Sequence, residues 1–456
     1  MREPRRRAGR SRRRDPARLA ALAALRRING EQAYANLVLG PLVTALNTQD
    51  AGFVTELVHG TCRWQGSYDR VIEAAAGRSL GSLQPAVVDV LRLACHQLFG
   101  TRTPVHAAVA TSVDLAAIAI GEHTTGVVNA IVRRLAARSL DRWLAELTAG
   151  LDPLAAMALR YAHPEWIVQA FADTLSGDDA ELAELLAADN RPPVPMLAVR
   201  PGLGEVAELV TAGAEPARWS PWGASRPGDP EALPAIRAGR AGVQDEGSQL
   251  VIRAATRAAC PRGPWLDLCA GPGGKSALLR GLSPGLLVAA ELHPHRAELV
   301  AASLRGYPRT GAGHAGHQVI VADGTRPAWQ PGSFALVVVD APCSGLGALR
   351  RRPEARWRDR AGQVKSLARL QTRLLASAIS AAMPGGVIAY ITCSPHRQET
   401  LAVVQSAKGV EILNAPPLLP QVPQAASRLD DRFIQLWPHR HDTDAMFCAL
   451  LRRGDR

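Results

Sequence analysis

Two hydrophobic periods divide the chain. Up to about residue 140, apolar positions recur at helical spacing. Val128, Ile131, Val132 and Leu135 fall at i, i+3, i+4 and i+7, one face of a helix. Val109, Val113, Ala116 and Ile120 repeat the spacing, and Pro104 stands where proline is tolerated, at a helix start. Strand-like alternation is scarce, so residues 15–140 are predicted to form an all-α domain. From residue 241 the texture changes. Short apolar runs (Trp265–Cys269, Leu287–Leu292, Val319–Asp323, Ala335–Asp340, Val387–Thr392) alternate with helical stretches (Ser276–Leu282, His295–Tyr307, Val364–Met383, Arg397–Lys408). Ala445–Leu451 reads as one more strand. Strands alternating with helices predict a parallel sheet covered on both faces, an α/β domain over residues 241–456. Residues 141–240 are mixed. Pro164 opens a helix through Trp166 and Phe171, Met196–Val199 suits a short strand, and Pro201–Arg240 is rich in Gly and Pro around Trp219 and Trp222. This stretch reads as a connector carrying a small subdomain.

Composition sharpens this picture. A chain of 456 residues with 47% hydrophobic residues has material for about three cored domains. Its net charge of +12 favours a polyanionic partner, because each cation that neutralises a phosphate releases a condensed counterion. The excess is densest between Arg2 and Arg18, where only Glu3 and Asp15 oppose it; residues 1–14 are predicted to be a disordered basic tail. Seven cysteines, none in CxxC spacing, argue against a zinc site and against a secreted disulfide framework, so no metal is expected and the cytoplasm is the expected compartment. Leu374–Pro395 carries no charge over a membrane-like length, but Pro384, Gly385 and Gly386 cut it into a helix end and a strand. No membrane contact is expected, and the chain is read as a monomer.

The candidate cofactor site is Leu266-Asp267-Leu268-Cys269-Ala270-Gly271-Pro272-Gly273-Gly274-Lys275-Ser276, a strand, a glycine turn and a helix start. Glycines let backbone approach a ligand closely, and in open α/β sheets ligands bind beyond the carboxyl ends of the strands. A phosphate-cradling loop would need glycine where Cys269 stands, and a dinucleotide fingerprint would need it at Ser276. S-adenosylmethionine, which carries a sulfonium and no phosphate, needs glycine clearance and carboxylates instead. Glu291, Asp323 and Asp340 stand at three successive predicted strand ends, placed for the ribose hydroxyls, the adenine amino group and the reacting rim.

Two further strand ends carry thiols: Asp340-Ala341-Pro342-Cys343-Ser344-Gly345 and Tyr390-Ile391-Thr392-Cys393-Ser394-Pro395. An isolated cysteine is usually a small buried hydrophobe, but two flanking a cofactor crevice suit covalent catalysis. Cytosine C5 is a poor nucleophile until a thiolate adds to C6, and Asp340 is placed to stabilise charge developing at N3. A free thiol needs activation for that task, from a cationic cofactor or from arginines. Arg350, Arg351, Arg352, Arg356 and Arg358, with Trp357, follow the Cys343 loop and are read as phosphate contacts. The target base must be single-stranded or flipped out, since stacking obstructs C5 and C6.

These motifs resemble the Fmu/Sun/RsmB family of bacterial small-subunit rRNA cytosine-5 methyltransferases. The matching stretches are Val243–Gln249, Leu266–Ser276, Asp340–Gly345, Arg351-Arg352-Pro353-Glu354 with Trp357, Thr392–Pro395 and Asp444–Phe447. The resemblance implies a Rossmann-like S-adenosylmethionine domain acting on ribosomal RNA. It implies Cys393 as nucleophile, Cys343 as the cysteine assisting product release, and a cofactor site of Cys269, Ala270, Gly271, Pro272, Gly273, Gly274, Lys275, Glu291, Asp323 and Asp340. Two departures stand out: Gly271 where alanine is common, and Glu291 where aspartate is frequent. The helical domain resembles the RNA-binding antitermination factor NusB through Val54–Gly60, Pro104–Val109 and Val128–Ile131. Rival readings are a DNA cytosine-5 methyltransferase, whose Glu-Asn-Val motif is absent, an amino-group methyltransferase, which Cys343 and Ser344 disfavour, and a non-catalytic RNA-binding factor with a degenerate methyltransferase body.

Overall fold

The computed structural model describes residues 12–308, 316–358 and 360–454; most of the predicted tail lies outside the described residues. The chain forms two units: residues through Val168 together with Arg352–Arg358, and Gln169–Arg351 together with the chain from 359 onward. Residues 141–240 are thus divided between them. No helix among the described residues is long and apolar enough to cross a membrane.

The first unit is all helical up to its inserted segment. Helix Pro16–Glu31 begins at Asp15, whose carboxylate accepts the Arg18 amide, and helix Thr48–Ala76 begins at Asn47 and stops at Gly77, at φ 69°. Arg12, assigned to the tail, is already engaged here, with Asp114 at 3.0 Å and Glu122 at 2.8 Å. Helix Thr125–Leu135 buries Val128, Ile131, Val132 and Leu135 as the spacing predicts. Helix Val105–Ala119 differs: it buries Ala108, Ser112, Leu115 and Ala116, while Val109 and Val113 are only partly covered. Small residues let this helix pack closely, so its core face lies beside the one with the largest side chains.

Arg352–Arg358 belongs to this helical core, and that corrects the reading of the arginine run. Arg356 is fully buried and donates to the carbonyls of Arg63 and Ala162, both at 3.2 Å. Trp357 Nε1 donates to the Cys62 carbonyl at 2.6 Å, and Arg358 donates to the carbonyls of Gln32 and Ala33 while lying 4.0 Å over the Tyr34 ring. Groups so committed are structural connectors and not phosphate contacts.

The second unit carries two sheets. The smaller is antiparallel, in the order β2-β3-β1-β4, from β1 (Met196–Val199), β2 (Glu215–Pro216), β3 (Gly223–Ser225) and β4 (Ala241–Val243). It is tied to the main core through helix Glu246–Arg257. Glu246 accepts the amides of Trp219 and Ser220, and Gln249 accepts from Ser220 Oγ and donates to the Leu197 carbonyl.

The larger sheet contains β5 (Trp265–Asp267), β6 (Leu286–Glu291), β7 (Gly316–Val321), β8 (Phe334–Asp340), β9 (Ala382–Thr392), β10 (Val410–Ile412), β11 (Ile434–Gln435) and β12 (Phe447–Arg453). Its order is β10-β12-β9-β8-β5-β6-β7, with β11 paired to β12. The strands from β9 to β7 are parallel and β12 runs antiparallel to β9. Unbroken apolar runs suit strands covered on both faces, and Ala335–Val339 are fully buried. From β5 the chain moves outward to β7, then returns to the other side with β8. The β5/β8 boundary is therefore the topological switch point, where an open α/β sheet has its binding crevice. The uncharged stretch is core: helix Val364–Ala381 runs straight into β9. The helix predicted over Arg397–Lys408 is shorter, Leu401–Gln405, because the turn after Pro395 occupies its first residues.

Replacing Trp357 by alanine is expected to destabilise the helical unit by about 2–4 kcal/mol. Denaturant unfolding followed by circular dichroism checks this, and an unchanged midpoint would show that the 352–358 segment contributes nothing to that core.

Candidate active site

The glycine turn is built by backbone pairing. Ala270 N donates to the Ala290 carbonyl at 2.9 Å and Gly273 N closes a turn on the Ala270 carbonyl at 2.8 Å. Gly273 sits at φ 109° and caps helix Gly274–Leu282. A Cβ on Gly271 would stand 2.4 Å from Glu291 Oε2 and 2.8 Å from Arg296 Nε, so the backbone lies against the second strand end with no room for a side chain. Gly271 N in fact donates to Glu291 Oε2 at 3.0 Å, and Arg296 Nη2 donates to the Gly271 carbonyl at 2.7 Å.

Of the three acids predicted at strand ends, Glu291 and Asp340 are there. Glu291 is buried at the end of β6, and Asp340 closes β8. Asp323 lies beyond its strand, because β7 stops at Val321. The Ala322 amide pairs with the Glu291 carbonyl, and Asp323 Oδ1 caps its own turn, accepting Thr325 N and Oγ1 at 2.9 and 2.8 Å. Those bonds, the backbone one foremost, hold the Asp323 carboxyl below its ordinary range. Asp267, part of the candidate cofactor segment, carries no role of its own in the sequence. It is fully buried at the end of β5, where burial, partly opposed by the Ser276 hydroxyl at 2.6 Å, pushes its pKa up to about 7. Its Oδ1 has no hydrogen-bond partner.

Lys275 leaves the turn and pairs with Asp340, Nζ to Oδ2 at 2.8 Å. Burial works against its charge, but the attraction and hydrogen bond of Asp340 outweigh it and hold the ammonium above the usual lysine value. The predicted cysteines meet: Cys343 Sγ and Cys393 Sγ lie 3.4 Å apart. Their mutual hydrogen bond pushes Cys343 up and Cys393 down; for Cys393, burial, Asp340 and Asp444 oppose the shift and Lys275 assists it. Of the two sulfurs, Cys393 is the one whose pKa is lowered. The groups that lower Cys393 are a neighbouring thiol and a lysine, where the sequence points to a cationic cofactor or to arginines. Cys269 is the reverse case, its thiol pushed up by burial and by nearby carboxylates.

The segments around Asp245, Arg351 and Asp444 converge around the Cys393 loop. Gly347 N donates to the Cys393 carbonyl at 2.8 Å, and Ala445 N to the Gly347 carbonyl at 2.9 Å. Asp245 caps its helix and accepts Asp444 N at 3.2 Å, while Arg351 forms a forked pair with Asp444. Burial, then the charge of Asp444, raises Asp245 to about 7. Arg350 is buried and paired with Asp442. These two arginines, also read as phosphate contacts, therefore brace the loops. Glu399, which carries no sequence motif of its own, is buried where the Cys343 and Cys393 loops meet.

A family model described as 16S rRNA methyltransferase RsmB/F matches residues 258–452, and the NusB family model matches residues 15–137. A Mycobacterium tuberculosis protein named as a methyltransferase, without a stated substrate, is 47% identical over 468 residues, with 99% of each chain covered. Ribosomal RNA small subunit methyltransferase B of Pseudomonas syringae pv. tomato is 30% identical, over 85% of this chain and 86% of the relative. The chain belongs to the RsmB/F methyltransferase family. It is an rRNA methyltransferase of the S-adenosylmethionine-dependent kind, behind a NusB-type helical domain. The solved structure of PH0851 has the same fold, with TM-score 0.77, 20% identity and coverage of 97% and 99% of the two chains.

The residues present fit that cofactor. The glycine turn stands at the carboxyl end of β5, and the unpartnered Asp267 Oδ1 offers an acceptor suited to a cationic ligand. Gly271 and Glu291 are also fitted to one another. The longer Glu291 reaches into the space that a Cβ at 271 would need.

Gly271→Ala is accordingly expected to weaken S-adenosylmethionine binding about tenfold, ~1.4 kcal/mol. Gly271→Ala with Glu291→Asp should recover most of that loss in a calorimetric double-mutant cycle; strictly additive losses would refute the pairing. A second outcome concerns the thiols. A hydrogen bond to the thiolate stabilises the charged form, so losing it raises the pKa. The pH midpoint for iodoacetamide labelling of Cys393 should move upward in Cys343→Ala, and an unmoved midpoint would show that Cys343 does not tune it.

Proposed function

We propose that this RsmB/F methyltransferase methylates carbon 5 of a cytosine in 16S rRNA, through a covalent bond between Cys393 Sγ and C6 of the base. The observation that carries the proposal is the pair of thiols 3.4 Å apart, at the carboxyl ends of adjacent parallel strands, beside the Lys275–Asp340 ion pair.

Addition of the Cys393 thiolate to C6 opens the C5–C6 double bond and pushes electron density toward C5 and N3. The Lys275–Asp340 pair supplies the proton that N3 takes up, with Asp340 nearest the ring and Lys275 as its proton reserve. The Asp267–Lys275 turn and Glu291 would hold S-adenosylmethionine, with Asp323 available for its adenine amino group. Bound there, the cofactor supplies an electrophilic methyl group for C5. The C5 proton then leaves to solvent, the N3 proton returns to the Lys275–Asp340 pair, and the C6–S bond breaks with its electrons returning to Cys393. Cys343 keeps its proton throughout and hydrogen-bonds the sulfur as it departs, which assigns it to product release. The ring must be accessible on both faces, so the substrate is a cytosine that is single-stranded or flipped out.

Tritium transfer from labelled S-adenosylmethionine to 16S rRNA, with bisulfite sequencing of the product, tests the reading. Cys393→Ala should lose turnover by about 10⁴-fold or more. Cys343→Ala should still form the adduct and stall with RNA attached. Near-normal turnover in Cys393→Ala, or label at a position other than C5, would end the proposal.

A further inference from the structure

Two serines follow the two cysteines in sequence, and both turn to the same buried carboxylate. Ser344 Oγ donates to Glu399 Oε2 at 2.5 Å and Ser394 Oγ donates to the same oxygen at 2.6 Å. Ser344 N donates to the other oxygen, Oε1, at 2.8 Å. Gln371, from helix Val364–Ala381, donates to Oε1 at 3.3 Å and to the Pro342 carbonyl at 2.8 Å, so it holds the residue on the other side of Cys343. Tyr390, inside β9, donates through its hydroxyl to the Glu399 carbonyl at 2.7 Å. Glu399, Ser394 and Gln371 are fully buried, and Ser344 almost so.

Each bond restrains a different part of the catalytic rim. Cys343 sits between Pro342 and Ser344, and both flanking residues are tethered within this network. Cys393 sits between Thr392, the last residue of β9, and Ser394. The strands set where the two loops begin, but Cys343 lies three residues past β8 and its position is not fixed by the sheet. A carboxylate is suited to bind the loops together because it accepts through both oxygens and several lone pairs, so one group takes donors from both loops at once. Charge-assisted bonds to a buried acceptor are short and hold their geometry well.

We propose that Glu399 is the positioning residue of the thiol pair, setting the separation of Cys343 and Cys393 through Ser344 and Ser394. It touches neither base nor cofactor. It acts by keeping the Cys343 thiol within hydrogen-bonding distance of the Cys393 sulfur, so that the nucleophile is both aimed and activated. This deepens the assignment above and rests on Cys393 being the nucleophile. Glutamine at 399 keeps the size of the side chain and one acceptor oxygen for the Ser344 amide. It turns an NH₂ group toward two hydroxyls that now donate, so the loops must readjust.

The test uses the full-length protein. Glu399→Gln should lower kcat by roughly 10- to 100-fold, the scale of a misplaced reacting group, with KM for rRNA within about twofold. In the protein alone, the pH midpoint of Cys393 labelling by iodoacetamide should move up. The other groups that act on the Cys393 charge, Asp340, Lys275 and Asp444, are left in place in this variant. Wild-type kcat with an unmoved labelling midpoint overturns the proposal, and so does a loss confined to KM. If Glu399→Gln does not fold, Ser394→Ala removes one arm and is read in the same way; a folded Ser394→Ala with an unmoved midpoint overturns the proposal. The labelling readout needs neither RNA nor cofactor. Activity surviving in Cys393→Ala would remove the nucleophile assignment, while a shifted midpoint would still locate Glu399 as the clamp of the thiols.

Discussion

The parallel pairing of β8 with β9 is the constraint on which the site depends. Asp340 stands opposite Ile391, so the two strands finish within a residue of each other, and both loops emerge at one rim. On the other side β8 pairs with β5, Asp267 opposite Val338. Three neighbouring parallel strands therefore deliver, in order, the glycine turn, the Pro-Cys loop and the Thr-Cys loop. A right-handed α/β fold with its switch point at β5/β8 gathers at one edge groups that lie up to 126 residues apart in sequence, from Asp267 to Cys393.

Local chemistry then refines what the sheet supplies. The rim crowds Asp340, Lys275, Cys343, Cys393 and, behind them, Asp245, Asp444 and Arg351. Isolated charges at such depth are costly, and here the two cations each have a specific counterpart. Lys275 answers Asp340 and Arg351 answers Asp444. The cysteines answer one another, their shared hydrogen bond moving Cys343 up and Cys393 down. Two titratable groups pushed apart by a shared bond commonly mark where an enzyme divides its roles.

Much of this could be read from the chain because the governing signals are local. Apolar runs with acids or cysteines at their ends gave the parallel strands and the rim, and the 3.6-residue spacing around Val128 gave a core face directly. Other features needed the third dimension. Apart from β1, which Met196–Val199 announces, the strands of the small sheet are two or three residues long and set among Gly and Pro, too short for alternation to show. The arginines after Cys343 read as phosphate contacts because nothing in sequence says that Arg356 and Trp357 insert among helices some 290 residues earlier. Asp323 was placed on a strand that ends two residues before it. Glu399 is one glutamate in an ordinary turn, and its role exists only where two distant loops meet. Asp267 carried no role of its own because a buried acid in an apolar strand looks like part of the motif's spelling until its environment is seen.

The central claim is that one of two adjacent sulfurs attacks the base, and trapping the adduct tests it most directly. An RNA substrate carrying 5-fluorocytidine at the target cannot lose its C5 substituent as a proton, so the covalent complex persists. Peptide mass spectrometry of that complex should place the nucleotide on the peptide containing Cys393. Attachment at Cys343, or methylation with no trapped species, would contradict the account.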